Sequence, residues 1–366
     1  MREFDFPHFV YIMKKKFVTI IKYLLFLGIG VILFWGVYGD LDLNKLKTAL
    51  GNINYFWIVL SIIISIMSQV SRAIRWNMLI TPMGYKPKLF NTFLSVLVLY
   101  LVNLFLPRAG EIGRCNVLSK YEKIPFTKLV GTVFVERLAD LITLLFLTVI
   151  IVTTQIGKIR QIFDRNRINE IMKRFTDRTP HESGSAFSSK NILIAVGILI
   201  AAAFIIVEIR KYIKNRKQEK SVSLRKKINE IKYNIIEGIK TIGKLENKWY
   251  FIAHTFFIFL MWLFMLYVIF LAFEPTKNLS IFVGATTFLM GGLAMLLPIQ
   301  GGIGPWHIMV ILTLSVYNIS IENGEIFALI AHSTTNLIYI LLGLVALLLL
   351  LIYNNRKEQE QPVLSK

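Results

Sequence analysis

Apolar residues in this chain come in blocks long enough to cross a bilayer, at residues 17–38, 55–79, 126–154, 190–209, 249–273 and 324–353. A helix rises about 1.5 Å per residue, so roughly 20 residues span a hydrocarbon core of about 30 Å. The blocks lack the period-two alternation of barrel strands, and irregular backbone cannot face lipid with its polar groups unmet. They are therefore read as helical spans. Composition agrees: of 366 residues only 17% are charged, whereas a soluble domain carries about 25%. The fold class expected is an all-α polytopic membrane protein.

Lys14, Lys15 and Lys16 precede the first block without a small-residue cleavage site, so residues 17–38 are read as an uncleaved span following a short tail, 1–16. Cys115 is the single cysteine, which excludes an internal disulfide and a cysteine-based metal cluster. No metal and no cofactor are expected.

Two further apolar stretches, 90–106 and 279–297, run into Pro/Gly-rich segments and then into shorter semi-apolar ones. Charge bias decides how to thread them, because Lys and Arg concentrate in cytoplasmic loops. Lys14 to Lys22, the group Arg72, Arg75, Lys86 and Lys88, and the group Lys120, Lys123 and Lys128 all stay inside if 90–118 enters and leaves on one side. The segment 210–248, with 13 Lys/Arg against 4 Asp/Glu, also falls inside, where its simplest role is to lie on anionic headgroups. Arg356 and Lys357 follow if 279–316 re-enters from the outside. The loop 155–189 is then extracytoplasmic; residues 158–190 carry 8 Lys/Arg against 4 acids, an exception of the kind long loops show. About six full spans plus two re-entrant hairpins, 90–118 and 279–316, are thus expected, with both termini (tail 354–366 included) cytoplasmic.

The two broken segments match each other. Leu106-Pro107-Arg108-Ala109-Gly110-Glu111-Ile112-Gly113-Arg114 and Leu297-Pro298-Ile299-Gln300-Gly301-Gly302-Ile303-Gly304-Pro305 share L-P-x-x-G-x-I-G at an offset of 191 residues. Each follows two spans and a shorter apolar run, and precedes one long span. The halves 17–154 and 190–353 then run in opposite senses, and paired Gly/Pro-interrupted segments of this kind point to the site of an inverted-repeat transporter. Pro107, Pro298 and Pro305 break helices and glycine permits close approach. The half-helix ends so created offer N–H groups to anions such as phosphate. A kinked span without ligand explains either motif alone, and the matched pair less well.

Charges gather in the first half. Arg108, Glu111 and Arg114 flank the glycines, and Glu136, Arg137 and Asp140 follow in the next span. An ionised group at mid-bilayer costs at least about 2.5 kcal/mol, so such groups pair or face a cavity. Glu136 and Asp140 share a helix face, with Arg137 about 100° away from Glu136, so the two acids can pair with Arg108 or Arg114 and brace the hairpin. Those arginines equally suit bidentate phosphate binding. In the second half Gln300, His307, His332 and Asn336 are the polar groups, and a lone intramembrane histidine is most simply a hydrogen-bonded packing residue. Trp306 reads as an interfacial anchor; Arg72 and Arg75 read as snorkelling to headgroups, with guidance of a lipid phosphate as the alternative. No G-x-S-x-G, H-E-x-x-H, Walker A or G-x-G-x-x-G pattern is present, and the hydrophilic segments are too short for a nucleotide-using domain.

The stretch Asn103 to Arg114, followed by Val135-Glu136-Arg137-Leu138-Ala139-Asp140, resembles the lysylphosphatidylglycerol synthase/flippase transmembrane family, and Pro298 to Gly304 is similar to its second signature. The resemblance covers about residues 17–353 and includes the flippase part of the multiple peptide resistance factor, without the soluble aminoacyl-transferase domain of fused members. Pro305 and Trp306 stand where a more acidic continuation is usual. The resemblance implies a lipid carrier in a bacterial cytoplasmic membrane, with two hairpins meeting near the bilayer centre.

The candidate headgroup-binding set is Asn103, Arg108, Gly110, Glu111, Gly113, Arg114, Glu136, Arg137 and Asp140, with Gln300, Gly301, Gly302, Gly304, His307, His332 and Asn336. The reading is a flippase- or scramblase-like transporter, not an enzyme, with Arg108, Arg114 and hairpin N–H groups at the headgroup phosphate. A non-transporting scaffold for a separate lipid-modifying enzyme is the first alternative. An intramembrane enzyme using His332 or Glu136 as base is the second. Expected partners are membrane lipids and anionic headgroups at the cytoplasmic face; no nucleic acid is expected, and a homo-oligomer is an admissible assembly.

Overall fold

The computed structural model describes residues 28, 31–35, 37–39, 41–106, 109–177, 245, 247–297 and 299–359. Outside them lie the tail 1–16, the start of the first span, the span 190–209, nearly all of the basic loop 210–248, the end of the C-terminal tail, and Pro107, Arg108 and Pro298. Among the described residues all regular structure is helical.

Among the described residues, and after helical residues at 31–35 and 37–38, these α-helices follow in order: α1 (Leu43–Gly51), α2 (Tyr55–Ile80), α3 (Leu89–Phe105), α4 (Gly110–Glu122), α5 (Phe126–Ile162), α6 (Arg165–Asp177), α7 (Lys248–Ala272), α8 (Ile281–Ala294), α9 (Pro305–Val316) and α10 (Ile321–Gln359). Among the described residues three segments, Tyr55–Met83, Lys248–Ala272 and Ile321–Asn354, are long and apolar enough to cross a membrane. Helix α5 is longer than α2 but carries Glu136, Arg137 and Asp140 in its first half.

Local chemistry sets the boundaries. Asp42 Oδ1 accepts from Asn44 N at 2.8 Å and Lys45 N at 3.3 Å, capping the short α1 that the hydropathy pattern did not suggest. Asn54 Oδ1 caps α2 through Phe56 N at 3.1 Å, satisfying donors that have no intrahelical partner. The loop 155–189 is not irregular throughout: α5 continues past a non-helical Gln155 (φ −123°, ψ 20°), and α6 follows. Ile162 and Ile171 are buried in the core built around α7 to α10, which holds this extension in place.

Helices α3 and α4 form an antiparallel hairpin. Near its tip Gly110 N donates to Asn103 Oδ1 at 2.8 Å, and at its open end Asn91 Nδ2 donates to Glu122 Oε1 at 2.5 Å. Helices α8 and α9 form a second one: Gly291 lies against Trp306 toward the tip, and Tyr317 OH lies 3.3 Å from Thr286 Oγ1 toward the open end. The two meet at their tips, where Leu104 lies beside Gly301. Each hairpin's first arm leans on the long helix of the other half, α3 on α10 and α8 on α5. Between them α2 and α7 pack closely along their length. They run antiparallel, with Ser61 Oγ donating to Met265 O at 3.0 Å and Ser71 Oγ 2.8 Å from His254 Nδ1.

Candidate functional site

A cavity of about 760 Å³ lies where the hairpin tips, α2, α7 and α10 converge. Most of its wall is apolar or aromatic, with Arg72, Glu111 and Arg137 on the first-half side and His332, Thr335 and Asn336 on the other.

Behind the charged wall sits a network of four guanidinium groups and three carboxylates. Glu136 Oε1 accepts from Arg72 Nε at 3.1 Å and Arg75 Nη2 at 2.8 Å, and Glu136 Oε2 from Arg114 Nη2 at 2.6 Å. Asp140 Oδ1 accepts from Arg75 Nη1 at 2.7 Å. Glu111 is 2.7 Å from both Arg114 Nη2 and Arg137 Nη2. The side chains of Arg75, Arg114 and Glu136 are 0% exposed and that of Arg72 3%, whereas that of Arg137 is 42% exposed on the cavity side. The Arg114 guanidinium stacks over the Trp76 ring at 4.3 Å, and Trp76 Nε1 donates to Thr132 Oγ1 at 2.8 Å. Charges this buried remain ionised only when paired, and here α2, α4 and α5 each supply part of the set.

The second half is uncharged at the corresponding place. Residues 300–302 form a 3₁₀ turn with positive φ at Gly301 and Gly302. His332 Nε2 lies 2.8 Å from the Gly301 carbonyl, with Asn336 Nδ2 3.1 Å from His332 Nδ1. Gly304, at φ 93°, donates its N–H to His307 Nδ1 at 3.2 Å. A side chain at residue 304 would be strained at that φ and would run into Leu33; only glycine adopts this conformation readily.

Several expected residues come together at the cavity: Asn103, Glu111, Arg137, Gly301, Gly302, His332 and Asn336. Others stand behind it. Gly110, Gly113, Arg114, Glu136, Asp140, Gln300, Gly304 and His307 do not line it, and Arg114 and Glu136 serve as bracing. Of the hairpin N–H groups, those of Gly110 and Gly304 are taken by Asn103 and His307. Arg108, Pro107 and Pro298 fall outside the described residues. Pro305, expected to break a helix, occupies the first position of α9, where a missing N–H costs nothing.

Two further expectations fail. Arg72 and Arg75 do not snorkel: both are buried against carboxylates of α5, Arg72 on Glu136 and Arg75 on Glu136 and Asp140. Trp306 does not anchor at an interface but packs on His332, ring centroids 5.1 Å apart, and lines the cavity. Tyr100, Trp262 and Tyr339, also on the wall, carried no signal of their own, although α2 did. Its buried Ser61, Ser65, Ser68, Gln69 and Arg72 recur at three- and four-residue spacing, a polar stripe that faces the protein interior.

Fold and site together define a multi-pass helical membrane protein with an interior, charge-braced cavity. Comparison places it further: residues 20–343 match the family described as the lysylphosphatidylglycerol synthase TM region, and the chain belongs to that family. The family is membrane-associated and linked to lipid handling. A UPF0104 membrane protein of Methanocaldococcus jannaschii is 31% identical over 138 residues, which is 37% of this chain and 41% of that protein. No solved structure matches the chain.

Proposed function

We propose that the protein is a lipid transporter, flippase- or scramblase-like, that moves a phospholipid or polyprenyl-phosphate-linked lipid between leaflets without a covalent step. The observation that carries this reading is the cavity itself, bounded by both hairpin tips and charged at one side, with apolar and aromatic residues over most of the rest. A charged headgroup crossing hydrocarbon unaided meets a cost of several kcal/mol or more per charge. A cavity with charged groups on one wall, between two broken segments, lowers that cost at mid-bilayer. Arg137 and Glu111 would meet the headgroup, with Arg75, Arg114, Glu136 and Asp140 holding them.

The antiparallel packing of α2 on α7, equivalent helices of the two halves, supports an inverted repeat about an in-plane axis. On that reading α3–α4 and α8–α9 are re-entrant hairpins opening to opposite faces of the cytoplasmic membrane, with both termini inside. The test is translocation: protein in liposomes carrying a fluorescent phosphatidylglycerol, with the outer leaflet quenched by an impermeant reductant. The native chain should expose inner-leaflet lipid much faster than protein-free liposomes, and Arg137→Gln should slow it by about tenfold, the weight of a charge-assisted hydrogen bond. A native rate equal to the protein-free rate would sink the transporter reading.

A further inference from the structure

Two residues of the cavity wall hold buried hydrogen-bond donors that have no acceptor among the described residues. Arg72 spends Nε on Glu136 and Nη1 on the Tyr100 hydroxyl, at 2.6 Å. Its Nη2 is buried and has no hydrogen-bond partner among the described residues; Glu111 Oε1, at 3.7 Å, is beyond hydrogen-bond range. Trp262 Nε1, on α7, is likewise buried without a partner. The two groups are neighbours, with Arg72 Cζ 6.0 Å from the Trp262 ring centroid, and both residues line the cavity. Tyr100 receives Arg72 with a lone pair, which leaves its own O–H to be donated.

Arginine and tryptophan only donate. The nearby carboxylate is no remedy, since Glu111 pairs with Arg114 and Arg137 and stays 3.7 Å from Arg72 Nη2. Buried donors without acceptors are expensive, so such a wall makes sense where a ligand brings the acceptors. A cationic group would be repelled by these donors, and the one carboxylate beside them, Glu111, already pairs with two arginines. A phosphoryl group brings several anionic oxygens within a small radius, and the guanidinium fork suits it. The position is notable too. At the 191-residue offset between the two motifs, Arg72 corresponds to Leu263, next to Trp262. The donors thus come from near-equivalent places on the paired helices α2 and α7.

We infer that Arg72 Nη2 and Trp262 Nε1, with the Tyr100 hydroxyl, form a phosphoryl-binding subsite on the cavity wall. Resting on the transporter reading, this places the headgroup phosphate against α2 and α7, away from Arg114 and the hairpin N–H groups.

The test uses the full chain in detergent and follows its thermal unfolding midpoint against three probes: dioctanoyl phosphatidylglycerol, dioctanoylglycerol and inorganic phosphate. Stabilisation grows with the ratio of ligand to Kd, so each titration yields an apparent affinity. The phospholipid should bind at least tenfold tighter than dioctanoylglycerol. Trp262→Phe, which keeps the ring and removes the N–H, should weaken the phospholipid about tenfold and leave dioctanoylglycerol unchanged; Arg72→Lys should weaken it similarly. The same Trp262 dependence with inorganic phosphate would make the free anion a ligand as well, and its absence would restrict the site to lipid phosphate. Native protein with no preference for the phosphate-bearing probe overturns the subsite without any variant, as does a Trp262→Phe chain that binds it normally. Failure here with translocation intact removes the subsite alone; a Trp262-dependent phospholipid site in a chain that moves no lipid removes the transporter reading alone.

Discussion

Glu136 receives guanidinium groups from Arg72, Arg75 and Arg114 while fully buried, so its charge cannot be removed without leaving three cations short of an anion. Taking one partner from a buried ion pair typically costs about 3–5 kcal/mol. Glu136→Gln is expected to lower stability in detergent by that amount, read as a lower unfolding midpoint, or to prevent assembly. Arg137 sits on the cavity side and is 42% exposed, so Arg137→Gln should change stability by less than about 1 kcal/mol. A bracing role for Glu136 is wrong if the two variants unfold at the same midpoint. The four-residue spacing of Glu136 and Asp140 made their shared face readable from the sequence. Their partners were harder, because an arginine near the end of an apolar run can reach outward or fold inward, and only a carboxylate at the right depth on another helix decides. Arg72 and Arg75 turned inward, and the serines and glutamine on the same face of α2 were the available signal.

The hairpins test how far a repeated motif dictates a repeated element. Gly110 opens α4 directly, packed so tightly that a Cβ there would meet the Leu99 carbonyl and the Asn103 side chain. The matched Gly301 instead sits at φ 58° within a 3₁₀ turn, and α9 begins four residues later at Pro305. The shared Leu-Pro, Gly and Ile-Gly positions were enough to show where both apolar runs break. They were not enough to shape the tips, because the second motif has Gly302 and Pro305 where the first has Glu111 and Arg114. Glycine admits the positive φ of the turn and proline starts a helix; Glu111 and Arg114 instead pair along α4. Gly110→Ala should therefore force the arms apart, at about 1–3 kcal/mol. Gly131→Ala, on an open face of α5 with nothing within 4 Å of the added carbon, should be neutral or stabilising by up to about 1 kcal/mol. Thermal unfolding of the two variants in detergent separates them, and equal losses would count against the close-packed tip.

At the scale of the whole molecule the antiparallel pair α2 and α7 and the crossed contacts of α3 with α10 and α8 with α5 are consistent with the two-fold relation proposed between the halves. Charge bias in the sequence could suggest the same opposition only by assuming that 90–118 and 279–316 each return to the side they left, since hydropathy alone does not distinguish a short span from a hairpin arm. The open ends of the hairpins decide the matter. Lys120, near the end of α4, and Ser320, just before α10, are both exposed. Cys115 is 1% exposed, so a Cys115→Ser background should fold normally and remain unlabelled. In that background Lys120→Cys is expected to react with an impermeant maleimide in inverted vesicles and not in intact cells, and Ser320→Cys in intact cells and not in inverted vesicles. Labelling from opposite sides requires that the hairpins open to opposite faces, which is the geometry a carrier needs to receive a headgroup from one leaflet and release it to the other. Labelling of both from one side would place the two tips and their cavity within a single vestibule, and the inverted repeat and the transport it supports would both have to be abandoned.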